Sequence, residues 1–363
     1  LLASSAASDV YKRQRDMIGP AESIPSISGI ASDDRAKVNN ATLRNRGWEL
    51  SVSWNDKLKC GFSYGVGFNV FNYKAVVTKY NNPEGIIYNN HTGLAANKGY
   101  YEGMDIGEIW GYRADDLFLS NREIDDYLRN VNLTAFKSND LWRRGDLKYI
   151  DSNGDGRVDG GKGTLADHGD LQIIGNTTPK YSFGINLNLG YKGFEVSTLL
   201  QGVAKRDFPI SGSNYMFGGN NYNFKEHLDY FSTENPNGYL PRLTGWKDDK
   251  DFLVNTGYNT TRYLLNAAYM RMKNLTVAYT FNKKQLKHIG ISNLKVYVTC
   301  DNLFTVTKLP KQFDPETLNQ VNMSAGGDAQ NTAPGLTSPM KQNGNGMVYP
   351  MNRNFVFGLD FTF

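Results

Sequence analysis

Apolar and polar residues alternate with a period of two along much of this chain. In the clearest stretch, residues 181–191, every odd-numbered residue is aliphatic or aromatic and the residues between them are small or polar. Successive side chains of a strand point to opposite faces of a sheet, so the pattern predicts a strand with one apolar and one polar face. The same alternation recurs in six further segments, at 48–54, 62–70, 194–200, 275–281, 294–298 and 355–363.

The connections between these segments alternate in length. If the chain ends on the periplasmic side, the long connections 73–179, 202–267 and 310–349 lie outside the cell, and the short connections 55–60, 192–193 and 282–293 lie inside. Outer-membrane barrels have short periplasmic turns and long outer loops, whereas a soluble sandwich has no reason to sort its loops in this way. The predicted fold class is therefore all-β, an antiparallel transmembrane β-barrel with long extracellular loops.

The two longest outside connections have room for another strand pair, and Met104–Tyr112 and Gly145–Ile150 are the candidates. The expected count is about eight to twelve strands. One short loop helix is predicted at Asn121–Val131, and the sheet is expected to be open at its first strand, near Gly47–Trp54, and at its last, Asn354–Phe363.

The alternation also assigns faces to the strands. Residues on the apolar side are expected to meet lipid, and residues on the polar side are expected to line the lumen. The lipid-facing set is Phe183, Ile185, Leu187, Phe357, Leu359 and Phe361, and the lumen-facing set is Ser182, Asn186, Gly358 and Asp360.

Composition excludes several other classes of protein. The 40 Lys and Arg against 36 Asp and Glu leave a net charge of +4, too small an excess to indicate nucleic-acid binding. The mean hydropathy is −0.51, and no run of about 18 apolar residues predicts a membrane-spanning helix. Cys60 and Cys300 are far apart, the four His are scattered, and no catalytic motif is present, so neither an enzyme nor a required cofactor is predicted.

The first residues do not fit the rest of the chain. They lack the charged and apolar regions of a secretory signal, and Ser4–Gln14 resembles translated adaptor sequence. Residues 1–19 are therefore predicted to be a non-native or disordered leader, and residues 20–363 to form the barrel segment. An exported protein without a signal is expected to be a fragment.

One loop has the spacing of a calcium site. Oxygen ligands fall at positions one, three, five, seven and nine of an EF-hand-like loop, and Gly156 at position six permits the sharp turn. Position twelve, which should be Glu, is Lys162, and the nearest carboxylates are Asp167 and Asp170. Weak calcium binding is predicted, with a plain turn as the alternative. The candidate ligands are Asp151, Asn153, Asp155, the carbonyl of Arg157, and Asp159.

Aromatic residues are frequent in the outside connections. They would suit stacking on sugar rings, or equally packing within the loops and at the membrane interface. The residues concerned are Tyr100, Tyr101, Trp110, Tyr112, Trp142, Tyr215, Phe217 and Tyr222.

Short motifs occur in a fixed order along the chain. They are 45–50 (NRGWEL), 109–112 (IWGY) with 116–118 (DLF), 145–151 (GDLKYID) running into 153–156 (NGDG), 174–176 (IGN), 191–194 (YKGF), 301–305 (DNLFT), 314–316 (DPE) and Tyr349-Pro350. A terminal Phe363 preceded by alternating aromatic residues is typical of outer-membrane barrels. With these motifs the chain resembles the C-terminal half of a SusC/RagA-type TonB-dependent transporter, a family of Bacteroidetes.

The resemblance implies a fold and a function. Family members resemble a ~22-stranded barrel filled by an N-terminal plug, and this chain is similar to about half of such a barrel. The implied function is TonB-dependent import of a nutrient, oligosaccharide or peptide, across the Gram-negative outer membrane. The implied partners are a SusD-like surface lipoprotein, membrane lipid, and the TonB complex through the N-terminal part.

Two other classes of function remain open at this point. The chain could be a complete small outer-membrane barrel with a structural or adhesion role, since eight strands are enough to close a cylinder. It could also be a soluble, calcium-dependent glycan-binding domain, which would dissolve without detergent.

Overall fold

The computed structural model describes residues 3–5, 10–19, 38–87, 100–114, 116–210, 225–244, 251, 253–281, 286, 291–318 and 351–362. Its strands are β1 (Ala3–Ser5), β2 (Val10–Gly19), β3 (Val38–Lys57), β4 (Ser63–Lys79), β5 (Glu108–Gly111), β6 (Asp116–Leu117), β7 (Leu147–Lys148), β8 (Gln172–Asn176), β9 (Lys180–Tyr191), β10 (Phe194–Lys205), β11 (Asp207–Pro209), β12 (Tyr230–Phe231), β13 (Leu240–Arg242), β14 (Leu264–Asn266), β15 (Tyr269–Thr280), β16 (Asn293–Asp301), β17 (Thr305–Thr307) and β18 (Asn354–Thr362). The helices are α1 (Asn121–Leu128), two 3₁₀ turns (Asn139–Leu141 and Lys225–Leu228) and a π-helical turn (Leu253–Gly257).

Ten strands form one antiparallel sheet, and seven of them are the predicted segments: β3, β4, β9, β10, β15, β16 and β18. The other three, β1, β2 and β17, were not predicted. Its order is β1-β3-β4-β9-β10-β15-β16-β18, with β2 also paired to β3 and β17 to β15. Within the described residues the sheet is open, because its end strands β1 and β18 do not pair with each other. The closed eight-stranded cylinder of the small-barrel alternative is therefore not what the structure contains.

The position of the first open edge differs from the prediction. The edge of β3 near Gly47–Trp54 is covered, since Gly47 pairs with Val10 of β2 and Ser51–Ser53 pair with β1. Both covering strands lie within residues 1–19, the predicted leader, for which the sequence predicts no strand. The domain boundary at residue 19 stays a prediction.

The turn between β9 and β10 shows how local sequence sets the sheet. Lys192 and Gly193 both have positive φ, 48° and 89°, as a tight two-residue hairpin requires. A side chain on Gly193 would lie 2.6 Å from the carbonyl of Thr280 on the neighbouring strand. Glycine is thus needed here both for the backbone angle and for the close approach of β15.

The two faces of the sheet have opposite character, which confirms the predicted division. Directly paired residues share a face, so the register can be followed across neighbouring strands. One row on the outer face runs Tyr64, Leu189, Val196, Val277, Val298 and Phe357. One row on the inner face runs Asn55, Gly65, Asn188, Ser197, Thr276 and Thr299.

Most of the buried core among the described residues lies in the outside connections, and few of its residues, such as Val77, belong to the sheet. The fully buried large side chains include Tyr149, Tyr263, Phe118 and Leu133, while Phe357 of the sheet is 78% exposed. We call the described parts of 80–179, 206–267 and 308–318 the outside module. Within the described residues, no helix is long and apolar enough to cross a membrane.

The predicted extra barrel strands are wrong. Met104–Tyr112 and Gly145–Ile150 contain β5 and β7, but these pair with β8 and β6 inside the outside module. With four and two residues they are far shorter than the roughly nine to eleven that cross a bilayer. The predicted helix is confirmed as α1, and the Ser120 side chain caps it by accepting a hydrogen bond of 3.1 Å from the Glu123 amide.

Candidate functional site

The inner face of the sheet forms a shallow polar basin near the short-turn end. Its volume is about 660 Å³, and its wall includes Asn55, Asn188 and Thr276. An ion pair of 2.7 Å joins Glu195 on β10 to Lys295 on β16 across the intervening strand. The pair is partly exposed and adds little to stability, so its main effect is to make this wall hydrophilic.

At the opposite end of the inner face, a charged cluster joins the sheet to the outside module. Arg271 of β15 is buried and donates a hydrogen bond of 2.8 Å to Asp314, while Lys273 lies 2.9 Å from Glu316. The Asp314 carboxylate also accepts the amide of Met351 at 3.0 Å. Burial raises the pKa of Asp314, but the Arg271 guanidinium outweighs this and holds the pKa below its usual value. The two ends of the last outside connection therefore meet at one carboxylate.

A second buried arginine ties the three outside connections together. The Arg206 guanidinium donates to the carbonyl of Thr177 at 3.1 Å and to that of Leu318 at 2.8 Å. Burial lowers the pKa of Arg206 from its ordinary value. Its partners are main-chain oxygens. A side chain at the start of the second outside connection therefore binds the end of the first connection, at Thr177, and the described part of the third, at Leu318.

The interior of the outside module contains a charge network. Lys137 is fully buried and lies 2.7 Å from Asp146 and 2.5 Å from Asp251, and Arg242 contacts the same two carboxylates. The Asn255 amide completes the network with a bond of 2.9 Å to Asp146. Burial raises the pKa of Asp251, but hydrogen bonds from Lys137 and Arg242 outweigh it and lower the pKa below its usual value. The network joins the first and second outside connections, so they pack as one body.

Most aromatic residues of the outside connections are packed inside. Tyr101, Tyr112 and Trp142 are buried, and the Tyr112 ring makes an edge contact of 5.7 Å with Tyr149. Burial raises the pKa of Tyr149 well above its ordinary value. Loop packing, one of the two predicted roles, thus accounts for these three aromatic residues.

The remaining predicted aromatic residues are placed differently. Tyr100 is 47% exposed, and Trp110 lies against His168 with ring centres 5.6 Å apart. Tyr215, Phe217 and Tyr222 lie outside the described residues.

The predicted calcium loop folds as a compact turn. The Asp151 carboxylate accepts the amides of Gly154 and Gly156 at 2.7 and 2.8 Å. The Asn153 and Asp155 side chains accept the amides of residues 155 and 157, both at 2.9 Å. Burial raises the pKa of Asp159, but the Gly161 amide and the Arg157 guanidinium outweigh it and lower the pKa. The side-chain oxygens of Asp151, Asn153, Asp155 and Asp159 thus all accept backbone amides of the loop.

Asp170 returns to this loop, as the sequence allowed it to do. It is buried, and its carboxylate accepts the Ser152 amide at 2.6 Å and the Asp159 amide at 2.9 Å. Burial raises the pKa of Asp170 above its usual value. Gly161 and Gly169 permit this fold-back, and both have a φ of 54°. A Cβ atom added to either glycine would lie within 2.7 Å of the amide nitrogen of the other.

The other nearby carboxylate, that of Asp167, lies beside a lysine. Asp167 lies 4.0 Å from Lys162, the residue at position twelve. Within the described residues, no three His, Cys, Asp or Glu side chains are grouped as a metal centre requires. The calcium site stays a prediction.

Sequence reasoning missed the Lys137 network and the two buried arginines. The pairs are 114 residues apart for Lys137 and Asp251 and 43 apart for Arg271 and Asp314, and no local spacing links them. The only signal was that Asp146 and Asp314 belong to the short motifs that carry the family resemblance.

The curated relatives are receptors of one kind. The chain is 25% identical over 354 residues to TonB-dependent receptor P3 of Formosa agariphila, covering 97% of the chain and 31% of that protein. It is 24% identical to TonB-dependent receptor P26 of the same organism, covering 97% of the chain and 32% of that protein. No family model matches the chain. The chain thus spans about a third of the length of these relatives.

Solved structures with the same fold belong to a transporter. The chain superimposes on the RagAB peptide transporter with a TM-score of 0.60 at 19% identity, covering 97% of the chain and 32% of the transporter chain. The closed-closed state of the RagAB peptide importer matches with a TM-score of 0.59 at 19% identity, over 98% of the chain and 33% of the other. The resemblance to TonB-dependent receptors is confirmed, and the open sheet has the fold of part of an outer-membrane β-barrel.

Proposed function

We propose that this chain is the C-terminal part of the barrel of a TonB-dependent importer that takes up a nutrient oligosaccharide with the help of a SusD-like surface lipoprotein. The observation that carries the proposal is the match of 97% of the chain to TonB-dependent receptor P3. The faces of the sheet agree with it, since an apolar outer face suits lipid and an inner face of Asn, Ser, Thr and Gly suits a water-filled passage.

In this proposal the chain binds and guides its cargo without changing it chemically. The inner wall supplies hydrogen-bonding groups, and the outside module forms the entrance on the cell surface. The buried charge network and Arg206 keep the three outside connections in one fixed arrangement, which lowers the entropy lost when a ligand is held between them. Energy arrives through TonB, which acts on a part of the receptor outside this chain.

A peptide is the second candidate cargo. RagAB, a solved transporter that shares the fold, is a peptide transporter. Burial of Tyr101, Tyr112 and Trp142 also removes three aromatic residues that would stack on sugar rings. An uptake experiment should therefore compare both kinds of cargo.

The test uses cells that lack the gene and cells in which the full-length gene is restored. Fluorescent oligosaccharides and peptides of graded length are offered, with and without an intact TonB complex. Uptake that needs both the gene and TonB supports the proposal, and the cargo that enters identifies the substrate class. Uptake that is unchanged without the gene, for every compound, contradicts import by this protein.

The lipoprotein partner is tested separately. An affinity tag on the receptor, used after gentle detergent extraction, should recover a lipid-anchored surface protein in a stoichiometric amount. Recovery of the receptor alone, under conditions in which it stays folded, would contradict the partner.

We also propose that the loop 151–170 binds calcium weakly. The five predicted ligands lie in one compact loop, and the Asp170 carboxylate is bonded to the same loop. Binding would have to displace backbone amides from these oxygens, so an affinity in the roughly millimolar extracellular class is expected.

A further inference from the structure

The last strand of the sheet has a register that its outer face does not specify. On that face, Val296 and Val298 of β16 pair with Leu359 and Phe357 of β18. A shift of β18 by one residue would turn its apolar side chains to the lumen, which the alternation forbids. A shift by two residues keeps every apolar residue outside, and Val298 then faces Phe355 or Leu359. The outer face is therefore nearly indifferent between these registers.

The length of the connection before β18 does not select the register either. Residues 302–353 separate β16 from β18, in contrast to the two-residue turn between β9 and β10. The entropy of closing so long a connection changes very little when its end moves by two residues. Two hydrogen bonds do hold the residues just before β18, since Asp314 accepts the Met351 amide and Asn302 donates to the Asn352 carbonyl. Within the strand itself, information about the register must come from side chains on the inner face.

On the inner face, an aromatic ring lies over a glycine. Tyr297 of β16 pairs directly with Gly358 of β18. A Cβ built on Gly358 would overlap the Tyr297 ring, including its Cζ and Cε1 atoms, so the ring rests flat on the glycine. On β15, the residue paired with Tyr297 is the small and buried Ala278.

A two-residue shift would remove this contact between the Tyr297 ring and Gly358. Tyr297 would then face Val356 or Asp360, and its ring would have to swing away from the sheet. The pair of Tyr297 and Gly358 thus favours the observed register over both shifted ones.

We propose that the fit of Tyr297 over Gly358 selects the register of the last barrel strand. The register decides the stagger at which a barrel closes. A shift of two residues would move every main-chain donor and acceptor on the free edge of β18 by about 7 Å along the strand. The pair therefore determines where the strand that completes the barrel can bond to β18. This inference needs only the barrel fold and does not depend on which nutrient is imported.

The native Cys300 offers a direct measure of the register. It pairs with Phe355, and a direct pair lies within the Cα separation that a disulfide spans. Positions two residues away lie at about 7 to 8 Å and cross-link poorly. In a Cys60→Ser background of the full-length receptor, Phe355→Cys reports the observed register, and Arg353→Cys and Phe357→Cys report the two shifted ones. Oxidation in outer-membrane preparations then gives the three yields.

We expect the cross-link from Cys300 to position 355 to dominate when Tyr297 and Gly358 are intact. Tyr297→Ala and Gly358→Val should each lower the ratio of observed to shifted cross-links by about tenfold, the effect expected of misfitting a packed position. Gly67→Val is the matched control, because a Cβ there has its nearest contact at 3.6 Å and should leave the ratio unchanged.

The exchange Tyr297→Gly with Gly358→Tyr keeps the ring and the glycine opposite each other. Restoration of the dominant cross-link to position 355 in this double variant would support the proposal, even if a single variant failed to reach the membrane. Unchanged ratios in both single variants, or an exchange variant that remains as mixed as they are, would overturn it.

Discussion

Replacing Leu187 with arginine tests the assignment of the sheet faces most directly. Leu187 lies on the outer face of β9, between Val66 of β4 and Thr198 of β10. Its neighbour Asn186 lies on the inner face, between Gly67 and Leu199. Leu187→Arg and Asn186→Arg therefore add the same charge to the same strand, one toward lipid and one toward the lumen.

The expected difference follows from depth in the bilayer. β9 runs from Lys180 to Tyr191, so Leu187 is within two residues of its midpoint, or about 5 Å along the strand. An arginine on the lipid face costs about 2 to 4 kcal/mol at the midplane and less toward the interfaces. We take about 2 kcal/mol for this position, which lowers the folding equilibrium constant about thirtyfold. The lumen-facing arginine should change stability by no more than about 0.5 kcal/mol.

The assay is urea unfolding of the full-length receptor in lipid vesicles, with the folded fraction measured by the shift in gel mobility between boiled and unboiled samples. Leu187→Arg should lower the midpoint clearly, and Asn186→Arg should match the unsubstituted protein. Equal losses in both variants, or a larger loss from Asn186→Arg, would refute the assignment of faces.

Three further predictions concern the outside module. Calorimetry on the full-length receptor should detect calcium binding only at millimolar concentration, and Asp155→Ala should abolish it; absence of heat in the unsubstituted protein would leave the loop a plain turn. Lys137→Met should destabilise the module by about 3 to 5 kcal/mol, because the buried Asp146 then has one cation fewer beside it. The control Arg122→Ala removes an exposed ion pair and should cost less than about 1 kcal/mol. Limited proteolysis of the outside connections compares the two variants. The pKa of Asp251 is lowered in the folded state, so the ionised carboxylate stabilises the module at pH values above the usual pKa of 3.8. This contribution is lost as the pH falls through the pKa of the folded state. Protease resistance should therefore fall in acid below about pH 4, and Asp251→Asn should reduce this pH dependence.

The sequence determined the architecture of this protein because both controlling patterns are local. Alternation with period two marks the strands and their faces, and the sorting of long and short connections marks the two ends of the sheet. Helix α1 follows in the same way from Ser120 and the acidic first turn that it caps. One error, β5 and β7 as barrel strands, arose because the outside connections fold on themselves. A short strand pairs there with its local partner, and its side chains enter a core that no barrel pattern describes.

The tertiary structure decided what the outside residues do. Tyr112 and Trp142 have the same composition signal as ligand-stacking aromatics, and only their burial assigns them to packing. Lys137 contacts Asp251 because two separate connections share one core. A charged group that is removed from water is stable only when it is paired with an opposite charge, and here the opposite charge comes from the other connection. The register of β18 has the same character. Hydrophobic alternation repeats every two residues and cannot distinguish shifts by two, so the choice depends on tertiary contacts, among them the fit of the Tyr297 ring over Gly358.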